Sequence, residues 1–92
     1  MSRYLNLWEI NYSQFPTDPK EIETLMSQAR EWVDQNISKG FITSWGAFLT
    51  GGKGYSVFEG SPSEVYKATQ KFSPYFTSQI HEVLSVNELP ET

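Results

Sequence analysis

Gly51-Gly52-Lys53-Gly54-Tyr55-Ser56-Val57-Phe58-Glu59-Gly60 is the stretch from which the fold is read. Gly51, Gly52 and Gly54 relax the backbone where a tight turn needs a left-handed residue. Behind them Tyr55-Ser56-Val57-Phe58 is aromatic and β-branched, the make-up of a strand on a pleated, half-buried surface. Gly60-Ser61-Pro62 stops it. The ten residues therefore spell a hairpin turn and the strand that leaves it. They do not spell a phosphate-binding loop, because the glycines join two strands and open no helix.

Immediately upstream, Phe41–Thr50 (FITSWGAFLT) supplies the other arm of the hairpin. Before it, Asp18-Pro19-Lys20-Glu21 reads as a helix start, with Asp18 as cap, Pro19 in the first turn and Glu21 completing a capping box. Ile22, Leu25, Met26, Ala29, Trp32, Val33 and Ile37 then recur at helical spacing, and Lys39-Gly40 ends the segment. Further back, Arg3–Tyr12 is a strand with apolar bulk on both faces, which suits a central position.

Downstream, Ser61-Pro62-Ser63-Glu64 repeats the capping pattern. Val65, Ala68, Thr69 and Phe72 form a second helical stripe, closed by Ser73-Pro74. Phe76–Asn87 is expected as the last strand, followed by a frayed tail over Glu88–Thr92.

The order βαββαβ implies one ferredoxin-like α+β domain over residues 1–92: a four-stranded antiparallel sheet with both helices on one face and strands one and three in the middle. The helices are expected to cover Leu5, Leu7, Ser56 and Phe58. Tyr4, Asn6, Trp8, Tyr55, Val57 and Glu59 then fall on the open face. Trp45 is ambiguous, since Ile42 and Phe48 lie on the opposite side of a regular strand.

The 92 residues carry a net charge of −4 and no cysteine. The acidic balance argues against phosphate backbones and anionic membranes, and the lack of thiols removes disulfides, thiolate nucleophiles and cysteine-ligated metals. The N-terminal MSRYLNLWEINY lacks the apolar run of a signal peptide, and no stretch reaches transmembrane length, so a cytoplasmic protein is expected. A domain this short buries a modest share of its surface, which favours a partner subunit.

Lys53-Gly54-Tyr55-Ser56-Val57-Phe58 resembles the third-strand signature of RNA-recognition motifs, but Val57 stands where a stacking aromatic belongs, Gly60 takes the last aromatic position, and the flanks are acidic. Nucleic-acid binding is not expected. Taken whole, the chain resembles the dimeric α/β-barrel superfamily. The resemblance rests on YLNLWEI, on Gly52–Glu59 as G-x-G-[FY]-x-x-x-E, on Ser61-Pro62-Ser63-Glu64, and on the strand from Phe76 to Leu84. It is nearest to small bacterial domains without an assigned activity. It implies a homodimer whose two open sheets share a barrel, and it leaves the reaction open, since relatives include monooxygenases, isomerases and haem enzymes.

Tyr4, Asn6, Trp8, Trp45 and Tyr55 are the aromatic and amide residues from which a small-molecule site would be built. His81, the single histidine, and Glu59, at the end of a central strand, are the candidates for proton transfer; as structural residues they would be a strand-surface histidine and a solvated carboxylate. One histidine with scattered carboxylates makes no metal site, and no cofactor is expected. Two functions follow: binding or transformation of a small apolar or aromatic molecule between open sheet faces, or a non-catalytic domain that uses the same face for self-association or for a protein partner.

Overall fold

A computed structural model describes residues 2–91. The elements run β1 (Arg3–Ile10), α1 (Pro19–Ser38), β2 (Ile42–Ala47), β3 (Lys53–Glu59), α2 (Pro62–Gln70) and β4 (Phe76–Val83), followed by one 3₁₀ turn at Val86–Glu88. The four strands form an antiparallel sheet in the order β2-β3-β1-β4, with β1 and β3 central. This is the ferredoxin-like arrangement.

Local chemistry sets the boundaries. Asp18 Oδ1 accepts from the Lys20 amide at 3.1 Å and Pro19 occupies the first turn. Ser61 and Glu64 form a complete capping box: the Glu64 amide donates to Ser61 Oγ at 3.2 Å, and the Ser61 amide donates to Glu64 Oε1 at 3.1 Å. That amide, then the Ser61 side chain, holds the exposed Glu64 carboxyl below its ordinary range. The hairpin turns through Gly51 and Gly52, at φ of 82° and 75°. Both values lie where residues with a Cβ are strained. The last strand is shorter than expected. It stops at Val83, and the Ser85 amide donates to Glu88 Oε1 at 2.8 Å, turning the chain into the 3₁₀ segment instead of extending it to Asn87. Of the tail read over Glu88–Thr92, Thr92 lies outside the described residues.

Register fixes the faces, and it corrects the reading of β1. Tyr4 lies opposite Phe58, Asn6 opposite Ser56 and Trp8 opposite Gly54, while Leu5 lies opposite Val57 and Leu7 opposite Tyr55. Directly opposed residues share a face. Tyr4, Asn6 and Trp8 therefore belong to the helix-covered face with Ser56 and Phe58. Leu5 and Leu7 belong to the open face with Tyr55, Val57 and Glu59. The cause is steric. Trp8 is opposed by Gly54 and Asn6 by Ser56, so over that half of the strand the bulk of β1 fits the space left by β3, while Tyr4 packs with Phe58 in the core.

A β-bulge between Ile42 and Ser44 resolves Trp45. The extra residue reverses the alternation. Ile42, opposite Phe58, and Trp45, opposite Ser56, thus both face the helices although they are three positions apart.

The packed core is small. Tyr4, Ile42, Phe58 and Val65 are buried together, with Trp32, Val33, Phe41 and Ala68 against them, so both helices lie on the Tyr4–Phe58 face. Elsewhere the apolar stripe of α1 is only partly covered, with Met26 and Ile37 largely exposed. The radius of gyration is 14.6 Å, against roughly 12 Å for a compact chain of this length. The helix layer does not close onto the whole sheet.

Candidate functional site

Where α1 and the sheet separate, they leave a cleft of about 640 Å³. Its floor is the sheet: Asn6 and Trp8 from β1, Trp45 from β2, Ser56 from β3 and Ser78 from β4. Its roof is the uncovered stripe of α1, through Met26, Ala29, Trp32, Val33 and Ile37. Ala68, Thr69, Phe72 and Phe76 close the side. The lining is predominantly apolar with a few polar groups, and the volume is that of small-molecule sites. A second hollow, lined by Ser27, Arg30, Glu31, Asp34, Gln35 and Ser38, consists only of α1's own solvated side chains and has no opposing wall.

Aromatic side chains form a continuous belt around the cleft. Trp8 and Trp45 stack at 5.4 Å with 13° between planes, and Trp8 meets Phe76 edge-on at 6.0 Å. Phe76 contacts Phe72 at 6.5 Å, and Phe72 contacts Trp32 on the roof at 5.9 Å. The two stacked tryptophans stand on strands that are not neighbours, since β3 runs between β1 and β2. They meet above β3 because Gly54 leaves the space: a Cβ there would strike the Gly46 carbonyl and the Trp8 indole. The Trp8 Nε1–H donates to the Tyr55 carbonyl at 3.2 Å, which fixes the indole in plane and removes its only donor from the cleft.

Asn6 is the polar centre of the floor. It is 5 % exposed, and its cross-strand partner Ser56 is 3 % exposed. Asn6 Nδ2 donates to Ser56 Oγ at 3.3 Å, and Asn6 Oδ1 has no partner. A buried amide oxygen without a hydrogen bond costs about 1–3 kcal/mol. Such a group is rare in a folded protein.

The residues singled out in the sequence divide between two faces. Asn6, Trp8 and Trp45 come together on the cleft floor. Tyr4 lies on the same face but inside the packed core. Tyr55 is on the open face, where its hydroxyl bonds Ser44 Oγ at 2.9 Å and Phe48 stacks on its ring at 6.3 Å. Glu59 and His81 also lie there, opposite Arg3 and Leu5 respectively. Strands β3 and β4 flank β1 and the two positions are offset by two residues along it, so these groups stand about 12 Å apart on the backbone and outside hydrogen-bond reach. Neither borders the cleft, nor is any group of three or more metal-ligating side chains present among the described residues.

Ser56, Trp32, Phe72 and Phe76 are site residues that sequence reading left as structural. Ser56 carried a signal: a small polar residue on the helix side of a central strand, opposite an asparagine, is a buried polar pair. The three aromatics carried none beyond their helical and strand periodicity, which packed residues share.

No protein-family model matches the chain, and no curated protein matches it in sequence. No helix among the described residues is long and apolar enough to cross a membrane.

Proposed function

We propose that this protein binds a small, largely aromatic molecule in the cleft between α1 and the sheet. The observation that carries this reading is the cleft of about 640 Å³ walled by the Trp8–Trp45–Phe76–Phe72–Trp32 aromatic belt. A predominantly apolar, aromatic-lined space of this size with a few polar groups is the form that small-molecule sites take. The expected location differs from a chamber between two open sheets, because register puts Asn6 and Trp8 beneath the helices. The test is titration with planar aromatic probes followed by the indole fluorescence of Trp8 and Trp45. Saturable quenching that Trp45→Ala weakens supports the site; quenching unchanged by Trp45→Ala and Ala29→Trp refutes it.

Self-association through the open face is a second reading, with its own observation. Leu5, Leu7, Tyr55 and Val57 make a half-buried apolar centre with no helix over it. Arg3 opposite Glu59 marks one end, and Lys53 opposite Glu9 the other. Each end carries one charge of each sign, so neither repels its own copy in a face-to-face pair. This is the assembly that the resemblance to dimeric α/β barrels implies, and it leaves the cleft of each protomer on the outer side of its sheet. Sedimentation at micromolar concentration tests it: a dimer supports the reading and a monomer refutes it.

A further inference from the structure

What the cleft can hold is decided by which of its side chains are within reach, and the following rests on the reading that it is a ligand site. On the floor the polar groups are spent or covered. The Trp8 Nε1–H is taken by the Tyr55 carbonyl at 3.2 Å. Asn6 and Ser56 bond each other at 3.3 Å, and Asn6 Oδ1 lies beneath the protein's own atoms. At 5 % and 3 % exposed, the pair turns almost no polar surface to the cleft. At the closed side, Thr69 Oγ1 donates to the Tyr66 carbonyl at 2.9 Å.

The polar side chains that stay accessible stand at the rim. Arg30 and Asp34 are exposed on α1. At 3.6 residues per turn they fall on the flank of the stripe away from Trp32, whose own side is closed by Phe72. Ser78 lies on β4, an edge strand of the sheet. Between these rims the reachable walls are Met26, Ala29, Val33 and Ile37 above and Trp45 and Phe76 below. Met26, Ile37 and Trp45 are 44 %, 47 % and 42 % exposed, so the surface on offer there is apolar. A polar atom carried into that middle loses its water and finds no partner, and a charge loses far more. Apolar contact is the one gain available.

We infer that the ligand class is an uncharged, hydrocarbon-bodied molecule: the part seated between α1 and the sheet carries no hydrogen-bonding atom, and a polar substituent is tolerated only at an end that reaches the rim. Selection is by exclusion. The cleft rewards apolar area and penalises any heteroatom that it hides from water.

The experiment is isothermal titration, with protein in the syringe, of three probes of the same outline. They are naphthalene; 2-naphthol, with its hydroxyl at one end; and 1,5-naphthyridine, in which two ring nitrogens stand beside the fusion bond in the middle of the body. Wild type is expected to bind naphthalene about tenfold or more tightly than naphthyridine, and 2-naphthol within about threefold of naphthalene. Asn6→Leu/Ser56→Ala should leave the naphthalene-to-naphthyridine ratio unchanged, because a bound molecule does not reach that pair. Ala29→Trp, which fills the space under the roof, should abolish naphthalene binding. Naphthyridine binding as tightly as naphthalene, 2-naphthol differing from naphthalene by about tenfold or more in either direction, or a ratio that changes in the double variant overturns the ligand class while the cleft remains a site. Failure of all three probes to bind wild type, or naphthalene binding that Ala29→Trp leaves intact, overturns the cleft reading itself.

Discussion

Trp8 and Trp45 should be energetically coupled across β3, and a double-mutant cycle measures it. Trp8→Ala removes the 5.4 Å stack, the edge contact with Phe76 and the 3.2 Å bond to the Tyr55 carbonyl. A fully buried tryptophan truncated to alanine costs about 3–5 kcal/mol. Trp8 is only half-buried, because one side borders the cleft. A loss of about 2–3 kcal/mol is therefore expected, or a fall in Tm of roughly 10–20 °C for a domain of this size. Trp45 is 42 % exposed, and its removal should cost about 1–2 kcal/mol. The stacked pair should appear as a coupling of about 0.5–1.5 kcal/mol, with the double variant less damaged than the two singles combined. Urea unfolding followed by far-UV circular dichroism gives the values without depending on the deleted fluorophores. Additivity within about 0.3 kcal/mol, or a Trp8→Ala cost below about 0.5 kcal/mol, refutes the placement of the two indoles on one face.

Gly54→Ala forces a Cβ against the Gly46 carbonyl and the Trp8 ring; it should cost about 3 kcal/mol or more and release the Trp8 indole, seen as a red-shifted emission in any folded fraction. Asn6→Leu/Ser56→Ala removes a buried amide with an unpaired oxygen, so the empty protein should be as stable as wild type or up to about 2 kcal/mol more stable by urea titration, and marked destabilisation would contradict the unsatisfied state of Asn6. Glu64 has a folded-state pKa below its unfolded value, so the carboxylate stabilises the fold above the unfolded pKa, and that contribution is lost as pH falls through the lower folded one. Glu64→Gln should accordingly be less stable than wild type near pH 7 and converge with it under acid, in thermal melts across the range; a constant difference at all pH values contradicts the capping role. Leu7→Glu on the open face should abolish self-association in sedimentation while leaving probe affinity at the cleft within twofold, and an unchanged sedimentation coefficient from a wild-type dimer would place the interface elsewhere.

Element order and the capping residues Asp18 and Ser61 were legible because each depends on local chemistry, although Glu21 does not close the box expected at α1. Pro19 and Pro62 with their preceding caps, Gly40 after α1, and the glycine turn between β2 and β3 each have one structural solution. The faces were harder. Alternation along β1 assigns Tyr4, Asn6 and Trp8 to one side and Leu5 and Leu7 to the other, but it does not say which side meets the helices. Aliphatic residues were expected inward and aromatic ones outward, yet the register pairs Tyr4 with Phe58 and Trp8 with Gly54. Gly54 opposite Trp8 was the decisive signal, and it can be read only once two strands are aligned. Trp45 was undetermined for a different reason: a bulge changes the parity of a strand, and nothing in Ile42-Thr43-Ser44 announces it. Of the candidate site, Asn6, Trp8 and Trp45 were identified by residue type and are brought together in space. Their neighbours on the roof were hidden, since Trp32 and Phe72 follow the same periodicity as residues that only pack.

The most direct measurement is a ¹⁵N-resolved NMR titration of wild-type protein with 2-naphthol, observing the Asn6 side-chain amide and the three indole N–H signals. Saturating shifts of the Asn6 amide and of Trp8 and Trp45, with the backbone signals of Val57 and His81 unmoved, are the result predicted for a ligand seated beneath α1. Shifts centred on Tyr55, Val57 and His81, with the Asn6 amide unmoved, would place binding on the opposite face and contradict it.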